Sequence, residues 1–121
     1  MAPVSNYARR RNLVKGCPLT AAMAAIGGKW KLIIVYWLAQ SPKHFAALRH
    51  LLPDISQKVL TQQLRELVND GIVQRRPTGA IPAPVVYSLT NYGRSVSSLV
   101  EKIRRWGRTH MERLNSRMDT L

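Results

Sequence analysis

Apolar residues return at helical spacing along "ISQKVLTQQLRELVND", residues 55 to 70, and leave one side of that segment polar. At about 100° per residue, Leu60, Leu64, Leu67 and Val68 share a side suited to a core. Lys58, Gln62, Arg65 and Asn69 lie roughly opposite, with Thr61 on the flank and Gln57 at the exposed N-terminal end. Ser56 is a good N-cap, because its hydroxyl can accept from an orphan N–H of the first turn. Ile55 and Leu60 are placed for a hydrophobic staple across that cap. Gly71 supplies the C-terminal stop.

The same reading divides the rest of the chain. Pro18 suits the first turn of a helix that "LTAAMAAI" continues until Gly27 and Gly28 end it. A second helix is expected from about Lys31 to Gln40, with Leu32, Ile33, Val35, Tyr36 and Leu38 apolar on most sides and therefore largely buried. "SPK" breaks it, and Phe45, Leu48, Leu51 and Leu52 predict a short third helix from about His44 to Leu52. After the Ser56 helix, "IVQRR" and "VVYSL" read as strands joined by the turn chemistry of "PTGAIPAP", which makes a hairpin. Thr90 or Asn91 can cap a long final helix reaching roughly to Met118. Helix, tight turn, helix, hairpin is the order of a winged helix-turn-helix. The expected fold is thus mainly α with a small β-hairpin, with dimerisation helices at both ends. Its parts are a basic N-terminal arm (1–16), a winged DNA-binding domain (17–90) and a C-terminal dimerisation helix (91–121).

Charge then narrows the partner. Nineteen Lys and Arg stand against six Asp and Glu in 121 residues, a formal net charge of +13, and no acidic residue precedes Asp54. Such a field favours a polyanion, most often nucleic acid, with an anionic membrane surface or simple solvation as the rivals. Apolar runs such as "LIIVYWLA" fall far short of the roughly 20 residues a membrane span requires. The N-terminus has no apolar run after its basic residues and is not a signal peptide. With a single cysteine, Cys17, no internal disulfide can form, and a reducing, cytoplasmic setting is the default.

The polar side of the Ser56 helix now acquires a meaning. Gln can pair with adenine through both ends of its amide, Arg and Lys reach guanine O6 and N7, and Thr offers a hydroxyl and a methyl. Gln57, Lys58, Thr61, Gln62 and Arg65 are therefore the candidate base readers, entering a major groove. Glu66, further round the helix, is expected to meet the surroundings of Arg65 or solvent. Arg75 and Arg76, at the base of the hairpin, are candidates for a phosphate or the minor groove. Lys29, Lys31 and Lys43 begin the second and third helices, where free backbone N–H groups also favour a phosphate. The competing interpretation of all these cations is a solvated basic surface.

"CPLTAAMAAIGGKWKLIIVYWL", "FAALRHLLPDISQKVLTQQLRELVNDGIVQR" and "YSLTNYGRS" together resemble the HxlR-type regulators, a MarR-related branch of the winged-helix transcription factors. The resemblance spans about residues 17 to 96. It implies a homodimer that binds double-stranded DNA at an inverted-repeat operator, more often as a repressor. At the wing the family often carries a basic residue before an acidic one; Pro84 and Val86 occupy those positions here, which makes Arg75 and Arg76 the better wing candidates.

Two features bear on assembly and control. Val96, Leu99, Val100, Ile103, Trp106, Leu114 and Met118 form a stripe too long for one small domain to cover, so Leu99, Ile103, Trp106 and Leu114 are expected at a dimer interface. The alternative is that the stripe folds back on the first two helices of its own chain. Cys17 lies at a helix start near Lys15, and both a helix N-terminus and a cation lower a thiol pKa. In some HxlR-type proteins a cysteine here is a sensor, which implies an oxidant or small-molecule effector; the plain alternative is a small packed residue. His44, His50 and His110 have no metal-site spacing, no catalytic arrangement stands out, and no cofactor is expected. A non-specific or architectural nucleic-acid protein is the rival function.

Overall fold

The computed structural model describes residues 16–79 and 84–119. The basic arm up to Lys15 and the middle of the expected hairpin turn lie outside the described residues. Helix α1 runs over Pro18–Ile26, with Cys17 in an extended N-cap conformation and Pro18 where its missing N–H costs nothing. The Gly27 N–H closes the helix on the Met23 carbonyl at 2.8 Å, and a side chain at Gly27 would collide with that carbonyl. Gly28 then takes a φ of 92°, a left-handed conformation that glycine adopts without strain.

Helix α2 covers Lys31–Gln40. It buries Ile34, Val35 and Leu38, half-buries Leu32, Tyr36 and Trp37, and leaves Ile33 40% exposed. The expectation of burial on most sides holds for the core face only. Lys31, the one charged residue in the buried set among the described residues, sits at its start.

The expected third helix begins later than its apolar spacing suggests. Lys43–His44 form a short strand, β1, and helix α3 covers only Phe45–Leu51. Leu48 and Leu52 anchor it in the core, and the Ile55 N–H bonds the Leu52 carbonyl at 3.0 Å to shape the turn. Helix α4, Gln57–Asn69, starts as expected: the Ser56 hydroxyl accepts from the Val59 N–H at 3.1 Å. Ile55 and Leu60, on either side of that cap, are both buried. Gly71, at φ 74°, turns the chain out of α4.

Strands β2 (Val73–Pro77) and β3 (Val85–Leu89) pair antiparallel, from Val73 opposite Leu89 to Pro77 opposite Val85. The sheet has one strand more than the expected hairpin. β1 pairs with the other edge of β3, Lys43 opposite Tyr87 and His44 opposite Val86, giving the order β1-β3-β2. Thr90 leads directly into helix α5, Asn91–Asp119, and its hydroxyl accepts from the Gly93 N–H at 2.9 Å. Beyond Val100 no described residue of α5 is buried.

The core joins every helix to the two longer strands: Ile26, Ile34, Leu38, Leu48, Leu60, Leu64, Leu67, Ile72, Val73, Leu89 and Val100 form one cluster. Burying side chains of this size contributes ~1.5–3 kcal/mol each. That cluster fixes α4 by its inner face and holds the sheet beside it.

Candidate nucleic-acid interface

With Leu60, Leu64 and Leu67 in the core, the opposite side of α4 has to face outward. Gln57, Lys58, Thr61, Gln62 and Arg65 are all exposed, as the periodicity predicts. Two of them are constrained by their own helix. The Thr61 hydroxyl donates to the Gln57 carbonyl at 2.8 Å, so its proton is used and its oxygen can still accept. The Gln62 Nε2 donates to Glu66 Oε1 at 3.1 Å.

The hairpin stands against the flank of α4 and leaves two hollows there. One, of about 360 Å³, is lined by Thr61, Arg65, Asn69, Arg75 and Tyr87 among others. The other, of about 790 Å³, lies between Phe45, Gln57, Thr61, Pro84 and Tyr87. Arg65 of the helix and Arg75 of β2 thus border one concave surface, a geometry suited to a backbone phosphate held beside a groove-bound helix.

The two wing arginines do not act as a pair. Strand alternation puts Arg75 opposite Tyr87, on the side of α4. Arg76 lies on the other face opposite Val86, where its guanidinium reaches Gln74 Oε1 at 3.3 Å and Gln74 in turn donates to Ser88 at 3.0 Å. Neither is at the base of the wing, which Val73 and Leu89 occupy. Both belong to the middle of β2.

The three lysines expected at helix starts are placed differently. Lys31 is 7% exposed, and its Nζ is paired with Glu66 Oε2 at 2.9 Å, so it is withdrawn from phosphate. Glu66 accordingly reaches α2 through Lys31. Lys43 belongs to β1, not to the first turn of α3, and its Nζ donates to Ser41 Oγ at 2.6 Å. Lys29 is exposed in the turn before α2, its Nζ 4.8 Å from the Trp30 ring centre. His44, expected as a surface or cap residue and not as a metal ligand, occupies the N-cap position of α3 and contacts the Val85 carbonyl through Nδ1 at 3.2 Å.

Cys17 is exposed in the single chain and is not packed within its own fold. Its thiol closes no capping hydrogen bond, but the N–H groups of Thr20 and then Leu19, joined by the Thr20 side chain, stabilise the thiolate and hold its pKa below the usual thiol range. Lys15, the expected second cause, lies outside the described residues. The apolar stripe of α5 is also uncovered: Leu99, Ile103, Trp106, Leu114 and Met118 are exposed, and Trp106, 66% exposed, stacks only on His110 with ring centres 5.0 Å apart. Leu19 and Met23 of α1 are exposed as well. Only the upper part of the stripe folds back on its own chain, where Val100 is buried and Val96 half-buried. Among the described residues no His, Cys, Asp and Glu gather into a metal-holding group, and no single helix is long and apolar enough to cross a membrane.

These features agree with what the chain resembles. The HxlR-like helix-turn-helix family model matches residues 25–115. The HTH-type transcriptional regulator YdeP of Bacillus subtilis (strain 168) is 40% identical over 101 residues, covering 84% of this chain and 79% of YdeP. The redox regulator HypR in its reduced form superposes with a TM-score of 0.78 at 40% identity, over 83% of this chain and 99% of HypR. The reduced form of the transcriptional regulator YodB from B. subtilis gives 0.67 at 32% identity, over 75% and 90% of the two chains. These relatives are transcriptional or redox regulators by name. With a winged helix-turn-helix that leaves the polar side of α4 open to solvent, and with these relatives, the chain belongs to the HxlR-like helix-turn-helix family of transcriptional regulators.

Proposed function

We propose that this regulator acts in the cytoplasm as a homodimeric repressor on an inverted-repeat operator in double-stranded DNA. The observation that carries the proposal is the outer side of α4: Lys58, Gln62 and Arg65 are all exposed, and the hairpin lies along its flank at Thr61 and Arg65. Gln57, Lys58, Thr61, Gln62 and Arg65 read base edges in the major groove. Arg75 holds a phosphate beside the groove, Arg76 contacts the backbone from the far face of the wing, and Lys29 and Lys43 add weaker phosphate contacts. Residues 17–90 form the DNA-binding unit and 91–121 the dimerisation helix. Leu99, Ile103, Trp106 and Leu114 meet their copies across a twofold axis, which places two α4 helices on half-sites about 34 Å apart.

Control is assigned to Cys17. HypR is a redox regulator by name, and an exposed thiol with a lowered pKa is the chemistry such control needs. Because each chain has one cysteine, oxidation joins two Cys17 thiols of two subunits, or Cys17 and a small thiol. Two thiols lose two protons and two electrons to the oxidant as the S–S bond forms. Cys17→Ser should bind DNA equally with and without diamide, while the natural protein should change its binding on treatment.

Selection from random duplexes tests the main reading. A twofold repeat should emerge, preferred about 10³-fold or more over random DNA. Little preference with a steep salt dependence would indicate an architectural protein instead, the reading that the +13 charge alone would favour. Gln62→Ala should cost about 1–3 kcal/mol at one base pair.

A further inference from the structure

A buried lysine lies directly behind the reading face. Lys31 starts α2, is 7% exposed, and reaches across to α4, where its Nζ meets Glu66 Oε2 at 2.9 Å. The other carboxylate oxygen, Glu66 Oε1, accepts from Gln62 Nε2 at 3.1 Å. The three side chains form one chain of charge-assisted contacts from the core to the outer surface. Its far end is an amide on the outer side of the helix.

The electrostatics fix the direction of that amide. A carboxylate has only lone pairs to offer, so Gln62 must turn its NH₂ toward Glu66 and its carbonyl oxygen away. One amide proton is then committed to Glu66. The second proton and the carbonyl oxygen remain, one donor and one acceptor side by side, the pattern that complements N7 and N6 of adenine. Lys31 has two effects. It pins the carboxylate in one orientation, and it neutralises a negative charge that would otherwise stand beside DNA phosphates.

We propose that Lys31 is a specificity-determining positioning residue: acting through Glu66, it sets the orientation in which Gln62 meets a base pair, without touching DNA itself. This inference rests on the assignment of Gln62 as a base reader. A helix surface alone would leave that amide free to rotate and accept either sense of hydrogen bond; the Glu66 carboxylate removes the choice, and the buried cation holds that carboxylate in place.

The test uses the full chain and a random-sequence duplex library, comparing the natural protein with Gln62→Ala, Lys31→Met, Lys31→Arg, Glu66→Gln and the Lys31→Met/Gln62→Ala double variant. Relative preference at each base pair is read, not total affinity. Gln62→Ala should relax one base pair. Lys31→Met should relax the same one by about five- to tenfold, the low end of what a bidentate contact discriminates. The double variant should add nothing, and Lys31→Arg should restore part of the preference. Glu66→Gln, altered on the less buried side of the pair, gives the same readout if Lys31→Met does not fold. A loss shared equally by all sequences, with the Gln62 base pair still preferred, would make Lys31 purely structural and overturn the proposal. If Gln62→Ala itself changes no preference, the reading of Gln62 fails first and the positioning role falls with it.

Discussion

The backbone of Gly93, in the first turn of α5, lies against the carbonyl of Ile72, at the start of the wing. A Cβ on Gly93 would fall inside contact distance of that oxygen, and the obstacle is backbone, not a side chain that can swing away. The same carbonyl accepts from the Thr90 N–H at 3.1 Å. Gly93→Ala should therefore destabilise the fold despite the higher helix propensity of alanine, by about 1–3 kcal/mol as overpacking usually does. Urea unfolding followed by circular dichroism measures it; an alanine variant as stable as the parent would show that the α5–wing contact yields easily.

The start of α4 depends on one hydroxyl. Ser56→Ala removes the bond to Val59 N–H and should lower stability by roughly 1 kcal/mol. Ser56→Asp should keep most of it, since a carboxylate accepts the same hydrogen bond and suits a helix N-terminus. The pair of midpoints in the same unfolding assay checks both statements.

The wing arginines should separate in a salt titration. Arg75 borders the hollow shared with Arg65, so Arg75→Ala should weaken all DNA sequences alike and reduce the slope of log affinity against log salt by about 1. Arg76 is tied to Gln74 on the other face, and Arg76→Ala should change the slope less. Equal slopes for the two variants would contradict the division of faces.

Replacing Ile103 with Glu puts a charge in the middle of the exposed α5 stripe. The folded domain should survive, because Ile103 is 44% exposed in the single chain, but the dimer should not. Sedimentation should then give a 13.7 kDa species for Ile103→Glu and twice that mass for the natural protein. A natural chain that sediments as a monomer at every concentration would remove the interface.

Cys17 should react with iodoacetamide through its thiolate. Since the Thr20 and Leu19 N–H groups favour the charged form, the thiolate population rises through a lowered pKa. The rate-versus-pH midpoint should accordingly lie below that of the same chain in urea. Coincident midpoints would mean that the helix start gives the thiol no activation.

Much of this was legible in the sequence, and the failures have definite causes. Leu60, Leu64 and Leu67 repeat at a period that only a helix satisfies, and Ser56 and Gly71 mark its ends, so α4 and its outer face could be read before any coordinates. The hairpin followed from β-branched runs around a proline-rich turn. β1 could not be read in the same way: two residues, Lys43 and His44, carry no periodicity, and they become a strand only because β3 offers them a free edge. Lys31 was misread because a lysine is expected at the surface; its burial depends on Glu66, far along the chain, and no local pattern announces such a pair. The separation of Arg75 from Arg76 is a different case. Neighbours in a strand point to opposite faces, so that signal was present and needed only to be applied.

Thr90 is the whole connection between β3 and α5, and its hydroxyl, which accepts from the Gly93 N–H, also donates to the Gly71 carbonyl at 2.5 Å. The 29-residue helix beyond it measures roughly 43 Å and is joined to the sheet without a slack linker. The direction in which α5 leaves the sheet is consequently set by that single residue and by the close approach of Gly93 to the Ile72 carbonyl.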